Sequence, residues 1–205
     1  MFKNRQDAGV QLAKKLEHYQ NQDVVVFTLP RGGIPLGVEV AKHLHAPLDL
    51  IITRKISHPL NHEYAIGALS EHGRTLYNEQ EIAKVDSTWL KNEEARLMND
   101  IKRRRHKYGA NLVSATGKTA IIVDDGIATG FTMLAAIDDV KKDNPSHIIV
   151  AIPVVPERMA QQLETLVDAV VSIERTRTYR GSVGSYYREF GPLTDNELIA
   201  QLDLI

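Results

Sequence analysis

The run Ala120-Ile121-Ile122-Val123-Asp124-Asp125-Gly126-Ile127-Ala128-Thr129-Gly130-Phe131-Thr132 constrains this chain more than any other stretch. Its first four residues are apolar and read as a buried strand. Two adjacent carboxylates end that strand. A short loop of small and hydroxyl residues follows, and apolar spacing from Met133 to Val140 marks a helix. A helix start presents free N–H groups and the positive end of the peptide dipole, both of which favour an anion. Gly130 lets the backbone approach a ligand closely. Thr129 and Thr132 add hydroxyl donors. Paired acids beside a phosphate-sized loop suit a sugar phosphate.

The rest of the chain alternates in the same manner. Helical spacing runs from Asp7 to Tyr19, and Val24 to Leu29 is a β-branched apolar run. Ile34 to Leu44 reads as a helix, with Pro35 tolerated in its first turn. Leu48 to Thr53 is expected as a strand and Lys55 to Glu63 as a loop. Tyr64 to Ser70 and Thr75 to Asn78 are expected to pair as a hairpin across His72-Gly73. A long polar helix is expected from Asp86 to Tyr108, capped by Asp86 or Ser87. Ile148 to Val155 and Ala169 to Ile173 read as strands, with a helix from Glu157 to Leu166 between them. A short helix from Asp195 to Leu202 follows. Apolar strands alternating with helices predict an α/β fold, a mostly parallel sheet covered on both faces. Ligands on such sheets bind beyond the strand C-termini. Three loops with suggestive chemistry fall there: Pro30 to Gly33, Arg54 to Glu63, and Asp124 to Thr132.

With 205 residues the chain is long enough for one domain with a proper core. A net charge of -1 gives no global pull toward nucleic acid or anionic membrane. With no cysteine, thiolate chemistry and disulfides are excluded. No apolar run approaches the roughly 20 residues of a membrane helix. Met1 to Lys15 carries no signal-like apolar core, so a cytoplasmic location is expected. Six consecutive basic residues, Lys102 to Lys107, lie at a helix C-terminus, where cations suit the dipole. Glu93, Glu94 and Asp100 can pair with them, so a solvated helix face is expected. A dimer contact or a phosphate from a neighbouring subunit stays open. Nucleic acid is the least expected partner, since only Tyr108 offers a ring nearby.

The stretch from Ala120 to Thr132 resembles the 5-phosphoribosyl-1-pyrophosphate (PRPP) motif of the type I phosphoribosyltransferases: four apolar residues, two acids, variable residues, then Ala/Ser/Thr-Thr-Gly-x-Thr. The resemblance extends along the chain. Its segments are Pro-Arg-Gly-Gly, Arg-Lys-Ile, Asn-His-Glu-Tyr-Ala-Ile-Gly-Ala, Ala-Ile-Pro-Val-Val-Pro and Gly-Ser-Tyr-Tyr-Arg-Glu-Phe. Together they look like a bacterial and archaeal subgroup of that family.

The resemblance implies a single phosphoribosyltransferase domain over residues 1–205, with a core at about 20–175 and a hood mainly from 176–205. It implies that Asp124 and Asp125 hold the ribose hydroxyls and that Gly126, Ile127, Ala128, Thr129, Gly130, Phe131 and Thr132 form the 5′-phosphate loop. Arg31, Gly32, Gly33, Arg54 and Lys55 would meet the diphosphate. Lys55 is preferred over Arg54, because a strand alternates its side chains and only one of the pair should face the site. Ile56 to Asn78 would supply a loop and hairpin closing over the site, with Glu63 or Glu71 as an acid/base candidate. Tyr186, Tyr187 and Phe190 are candidates for stacking on an acceptor base. Mg²⁺ is the implied cofactor, carried by PRPP with few protein ligands. PRPP and a small-molecule acceptor are the implied partners, and a homodimer is left open. The implied reaction transfers a 5-phosphoribosyl group to a nitrogen of a nucleobase-like acceptor. Ala128 stands where 6-oxopurine enzymes commonly carry an Asp, which argues against hypoxanthine or guanine. A regulator that binds PRPP or a nucleotide without turnover, and a PRPP hydrolase, remain as other readings.

Overall fold

Apolar residues in alternate register on each central strand divide the interior into two layers. The computed structural model describes residues 1–109 and 113–205. Strands β1 (Val24–Thr28), β2 (Leu48–Leu50), β6 (Thr119–Val123), β7 (His147–Pro156) and β8 (Ala169–Thr176) form one sheet, ordered β2-β1-β6-β7-β8. Every neighbouring pair is parallel. On β1, Val24 and Val26 face the core layer that contains Leu12, Ile34, Leu36 and Tyr186. Val25 and Phe27 face the layer that contains Met133, Ile137, Ala160 and Leu163. Helices α1 (Arg5–Lys15) and α2 (Ile34–Leu44) thus cover one face. Helices α5 (Phe131–Lys141) and α6 (Glu157–Glu164) cover the other. The α/β arrangement with a parallel central sheet is the expected one.

A second, antiparallel sheet β3-β4-β5 comprises Thr53–His58, Asn61–Ser70 and Thr75–Tyr77. The hairpin across His72-Gly73 is present, with Ala68 opposite Leu76. Two expectations are corrected here. The strand after α2 ends at Leu50, and a new strand begins at Thr53. The segment from Lys55 to Glu63 is no loop but the two arms of a tight hairpin, with Lys55 opposite Ala68 and His58 opposite Asn61. Pairing supplies backbone partners to a segment whose polar side chains read as solvated.

Helix α4 (Ser87–Tyr108) follows a short α3 (Glu79–Ile82). Asp86 caps α4 by accepting from the Trp89 amide at 2.7 Å. Residues 2–3 run beside residues 186–189: Phe2 N donates to Tyr186 O at 2.8 Å and Arg188 N to Phe2 O at 2.9 Å. Helix α7 (Asp195–Leu202) closes the described chain, its start fixed by a reciprocal Thr194–Glu197 capping box. Among the described residues no helix is long and apolar enough to cross a membrane.

Candidate active site at the strand C-termini

Strand β6 delivers Asp124 and Asp125 to the C-terminal edge of the main sheet. The Asp125 amide donates to Asp124 Oδ1 at 2.8 Å, which folds the pair into a tight corner. Gly126 follows at φ 153°, where an added Cβ would lie 2.7 Å from Val183 and 2.9 Å from Val154. The buried Ile127 amide anchors the loop to Val154 O at 3.2 Å. Ala128 and Thr129 are exposed. Gly130 then adopts the left-handed conformation at φ 81° and starts α5. No side chain caps this helix, and the amides of Ala128, Thr129 and Gly130 find no backbone acceptor among the described residues. A helix start with its donors open favours an anion, and the two carboxylates beside it can accept from hydroxyls. Phe131 and Thr132 are half-buried in the first turn.

The loop after β1 lies against the acid pair. Leu29 N donates to Val123 O at 3.1 Å, and Gly33 N returns to Leu29 O at 3.0 Å. A Cβ on Gly33 would come within 2.6 Å of Thr28 Oγ1, and one on Gly32 within 2.1 Å of Asp125 Oδ2. Backbone carbonyls thus exclude a side chain at Gly33, and at Gly32 any side chain would have to push the Asp125 carboxylate aside. The Pro30–Arg31 peptide is cis. Arg31 folds back toward α7, donating to Leu193 O at 3.0 Å with Asp195 Oδ1 at 3.8 Å.

Both acids sit in a poorly solvated corner. Burial pushes the Asp124 carboxyl well above its ordinary value, and the neighbouring Asp125 adds to the rise. Burial also raises Asp125, but Arg5 opposes it. Arg5 Nε donates to Asp125 Oδ2 at 2.8 Å, and its NH1 donates to Gly191 O at 2.9 Å. The guanidinium lies 3.7 Å above the centre of the Phe190 ring. Sequence reasoning missed Arg5: nothing in its spacing sets it apart from the charges around it. Tyr187 OH donates to the backbone carbonyl of Asp125 at 2.5 Å, and burial drives that phenol's pKa upward.

The stacking expected of Tyr186 and Tyr187 is corrected by their burial. Tyr186 is 0% exposed and Tyr187 5%. Tyr187 packs between Phe2 and Phe190, ring centres 5.2 and 4.9 Å away, so both tyrosines belong to the interior. Phe190 keeps partial exposure but carries Arg5 on one face.

The basic candidates divide as strand alternation requires. Arg54 points to α4, its Nε 3.0 Å from Asp100 Oδ2. Burial lowers its pKa, and nearby Arg104 adds to that. Lys55 is exposed and has no ion-pair partner among the described residues. Glu63 is exposed on the first half of β4. Glu71 is tied down: Arg105 donates to both its oxygens, at 2.9 and 2.6 Å, and to Asp49 Oδ1 at 2.8 Å. Part of the basic run is accordingly paired to its surroundings. Arg103 and Arg104 pair with Asp100, and Lys107 reaches Asp195 at 2.6 Å.

A cavity of about 240 Å³ opens elsewhere, between the β4–β5 turn, α5 and the residues after β2. Much of its charged lining is engaged: Arg105 pairs with Asp49 and Glu71, His72 Nδ1 lies 3.2 Å from Asp139 Oδ2, and Asp143 accepts from the Ala115 amide at 3.2 Å. It shares no residue with the loops after β1 and β6, and the open donors and acids are at those loops.

A parallel α/β sheet whose central strand ends in an acid pair and a phosphate-type loop defines the class. Residues 4–188 match the phosphoribosyl transferase domain, and the chain belongs to that family. It is similar to TT1426 from Thermus thermophilus, a crystal structure 33% identical in sequence. That superposition has a TM-score of 0.80 and covers 98% of this chain and 97% of the other. It is also 35% identical over 207 residues to two Mycobacterium tuberculosis proteins, MT0597 and Rv0571c, whose names assign them provisionally as phosphoribosyl transferases. Those alignments cover 99% of this chain and 46% of each relative, so the chain spans about half the length of the curated relatives it matches.

Proposed function

We propose that this chain transfers a 5-phosphoribosyl group from PRPP to a nitrogen of a nucleobase-like acceptor, releasing pyrophosphate. The observation that carries the reading is the uncapped start of α5 behind Gly130, directly after Asp124 and Asp125. The open amides from Ala128 onward suit the 5′-phosphate, and the two carboxylates suit the ribose 2′- and 3′-hydroxyls. In the reaction the bond between C1 and the diphosphate oxygen breaks, and that oxygen keeps the electron pair. A bond from the acceptor nitrogen to C1 forms, and the nitrogen's proton passes to the departing diphosphate or to solvent.

The chain's contribution is positioning and charge stabilisation. The loop Arg31-Gly32-Gly33 lies beside the acid pair and is suited to the diphosphate. Arg31 would turn from Leu193 to reach it, and Lys55, exposed on β3 and unpaired among the described residues, would meet the same anion. Residues 2–5 with 183–191 form the wall over the acids that we read as the acceptor side. Asp124 and Asp125 would hold Mg²⁺ together with the substrate, and the ion would supply charge that offsets the departing diphosphate. Among the described residues no group of three or more metal-binding side chains stands ready to cage an ion alone.

A second reading, a PRPP- or nucleotide-binding regulator without turnover, draws on one observation: Glu71 is consumed by Arg105, and Glu63 is an exposed arm residue. Neither is held as an acid/base group. Pyrophosphate release from PRPP and Mg²⁺, assayed across adenine, guanine, hypoxanthine, xanthine, uracil and orotate, separates the two. Release with one base, absent from the Asp124→Asn/Asp125→Asn double variant, establishes the transferase. Release without any base indicates a hydrolase. PRPP binding with no release supports the regulator.

A further inference from the structure

We propose that Arg5 is the positioning residue of the ribose site: it fixes the Asp125 carboxylate so that its free oxygen receives a sugar hydroxyl. The inference rests on the reading of Asp125 as a ribose-diol acceptor and deepens it.

The geometry is that of a bracket, not a plug. Arg5 engages one carboxylate oxygen only, Oδ2, and through Nε only. Asp125 Oδ1 has no hydrogen-bond partner among the described residues. Asp124 contributes a second open oxygen, since only its Oδ1 is occupied, by the Asp125 amide. Two acceptors are thereby left for a vicinal diol. The guanidinium is meanwhile held by groups independent of Asp125: Gly191 O at 2.9 Å and the Phe190 ring at 3.7 Å. A side chain that had to leave for substrate to enter would break three contacts from two separate segments. One that stays keeps Asp125 oriented at no such cost.

Charge favours the same role. The side chains of Arg5 and Asp125 are 13% and 14% exposed, so each is largely removed from water and requires its partner. The backbone around it is independently fixed, by the pairing of Phe2 with residues 186–188 and by the Tyr187 hydroxyl on the Asp125 carbonyl. Gly32 lies against the carboxylate on another side: a Cβ there would fall 2.1 Å from Asp125 Oδ2.

The test is calorimetric binding of ribose 5-phosphate, 2-deoxyribose 5-phosphate and inorganic phosphate to the whole chain. Four proteins are compared: the unaltered chain, Arg5→Ala, Arg5→Lys and Asp125→Asn. Expected is a preference of the unaltered chain for ribose over deoxyribose. That preference falls about ten-fold in Arg5→Ala, the scale of one charge-assisted hydrogen bond. Arg5→Lys restores part of it, and affinity for inorganic phosphate is unchanged. Equal loss for both sugars would make Arg5 a mere strut, and tighter sugar binding by Arg5→Ala would make it a competitor. Either overturns the proposal. If the unaltered chain shows no preference and Asp125→Asn changes nothing, the ribose reading itself fails and the proposal with it. Should Arg5→Ala fail to fold, Phe190→Leu removes the ring under the guanidinium while keeping its charge. A few-fold loss of preference supports the bracket, and no loss overturns it.

Discussion

Gly32 and Asp125 are in contact so close that a single methyl group cannot enter: a Cβ at position 32 would lie 2.1 Å from Asp125 Oδ2 and 2.9 Å from Oδ1. The diphosphate-type loop and the acid pair therefore form one unit. Gly32 is not among the residues at positive φ, so alanine fits its backbone and only the carboxylate is displaced. Gly32→Ala should lower kcat/KM for PRPP-dependent pyrophosphate release about 100-fold, the usual penalty for a misplacement near 1 Å. Stability should fall by only about 1–3 kcal/mol through overpacking. Steady-state kinetics beside a urea melt reads both. Activity kept at the parent level would mean that Asp125 is not held where we read it.

Asp124→Asn should stabilise the free protein while weakening ribose 5-phosphate binding. The folded state holds this carboxyl well above its ordinary value, through burial first and Asp125 second. A raised folded value means that ionisation at neutral pH works against folding. The penalty is present above the folded pKa and disappears as pH falls through it toward the unfolded value of about 4. Asparagine keeps the oxygen that accepts from the Asp125 amide. A gain of about 1 kcal/mol at pH 7, shrinking on acidification, is expected in urea melts of the variant against the parent. A variant less stable at neutral pH would contradict the buried-charge argument.

How far the sequence reached is clear from particular elements. Helix α2 runs from Ile34 to Leu44 as expected, because Pro35 fits only a first turn and the apolar spacing continues to Leu44. The start of α4 was legible in Asp86, a cap whose chemistry is local. Both central strands were legible from apolar runs that a two-sided parallel sheet demands. Strand β3 was not, since its polar residues become a strand only through β4, which the spacing of Arg54 and Lys55 does not encode. The acid pair and the loop leading into α5 were visible as one contiguous run. Arg5 was not, because its partner lies 120 positions away. Tyr186 and Tyr187 carried the right chemistry for stacking, but Phe2 and residues 183–190 bury them, a tertiary outcome no local pattern reveals.

Gly130→Ala tests the start of α5. The position is left-handed at φ 81°, and a Cβ would lie 2.7 Å from Met159 Sδ. Left-handed backbone costs a residue with a Cβ roughly 1–2 kcal/mol. Met159 is a flexible side chain and can shift, so the backbone term dominates. We expect a stability loss of about 1–2 kcal/mol and at least ten-fold weaker binding of inorganic phosphate, because the loop amides turn with residue 130. Circular-dichroism melts and calorimetry check the two halves separately.

Asp195 gives an acid-limb prediction of the opposite sign to Asp124. Hydrogen bonds from Lys107 and Tyr108 hold its carboxyl at about 2, below the ordinary 3.8. A depressed folded value contributes stability that is complete above the unfolded pKa and is lost as pH falls through the folded one. Asp195→Asn should therefore be less stable than the parent at pH 7, by no more than about 1 kcal/mol given its partial exposure. That gap should close between about pH 4 and pH 2. A gap constant over that window, in matched urea melts, would assign the effect to packing instead of charge.

Arg105 decides what the basic run is for. It is the member of Lys102 to Lys107 that crosses to both Asp49 and Glu71, and the three side chains are 17%, 7% and 13% exposed. It also donates to Leu50 O, tying α4 to the end of β2 and the β4–β5 turn. Removing one member of a buried ionic group leaves the others unpaired in a medium that solvates them poorly. Arg105→Met should cost about 3–5 kcal/mol by that argument. Adding Asp49→Asn and Glu71→Gln should recover much of the loss, because the unpaired charges are then gone. None of these positions touches the loops after β1 and β6, so ribose 5-phosphate affinity should hold wherever the chain folds. If the run served nucleic acid, the pattern would invert: Arg105→Met would weaken binding to a polyanion such as heparin and leave the urea midpoint unmoved.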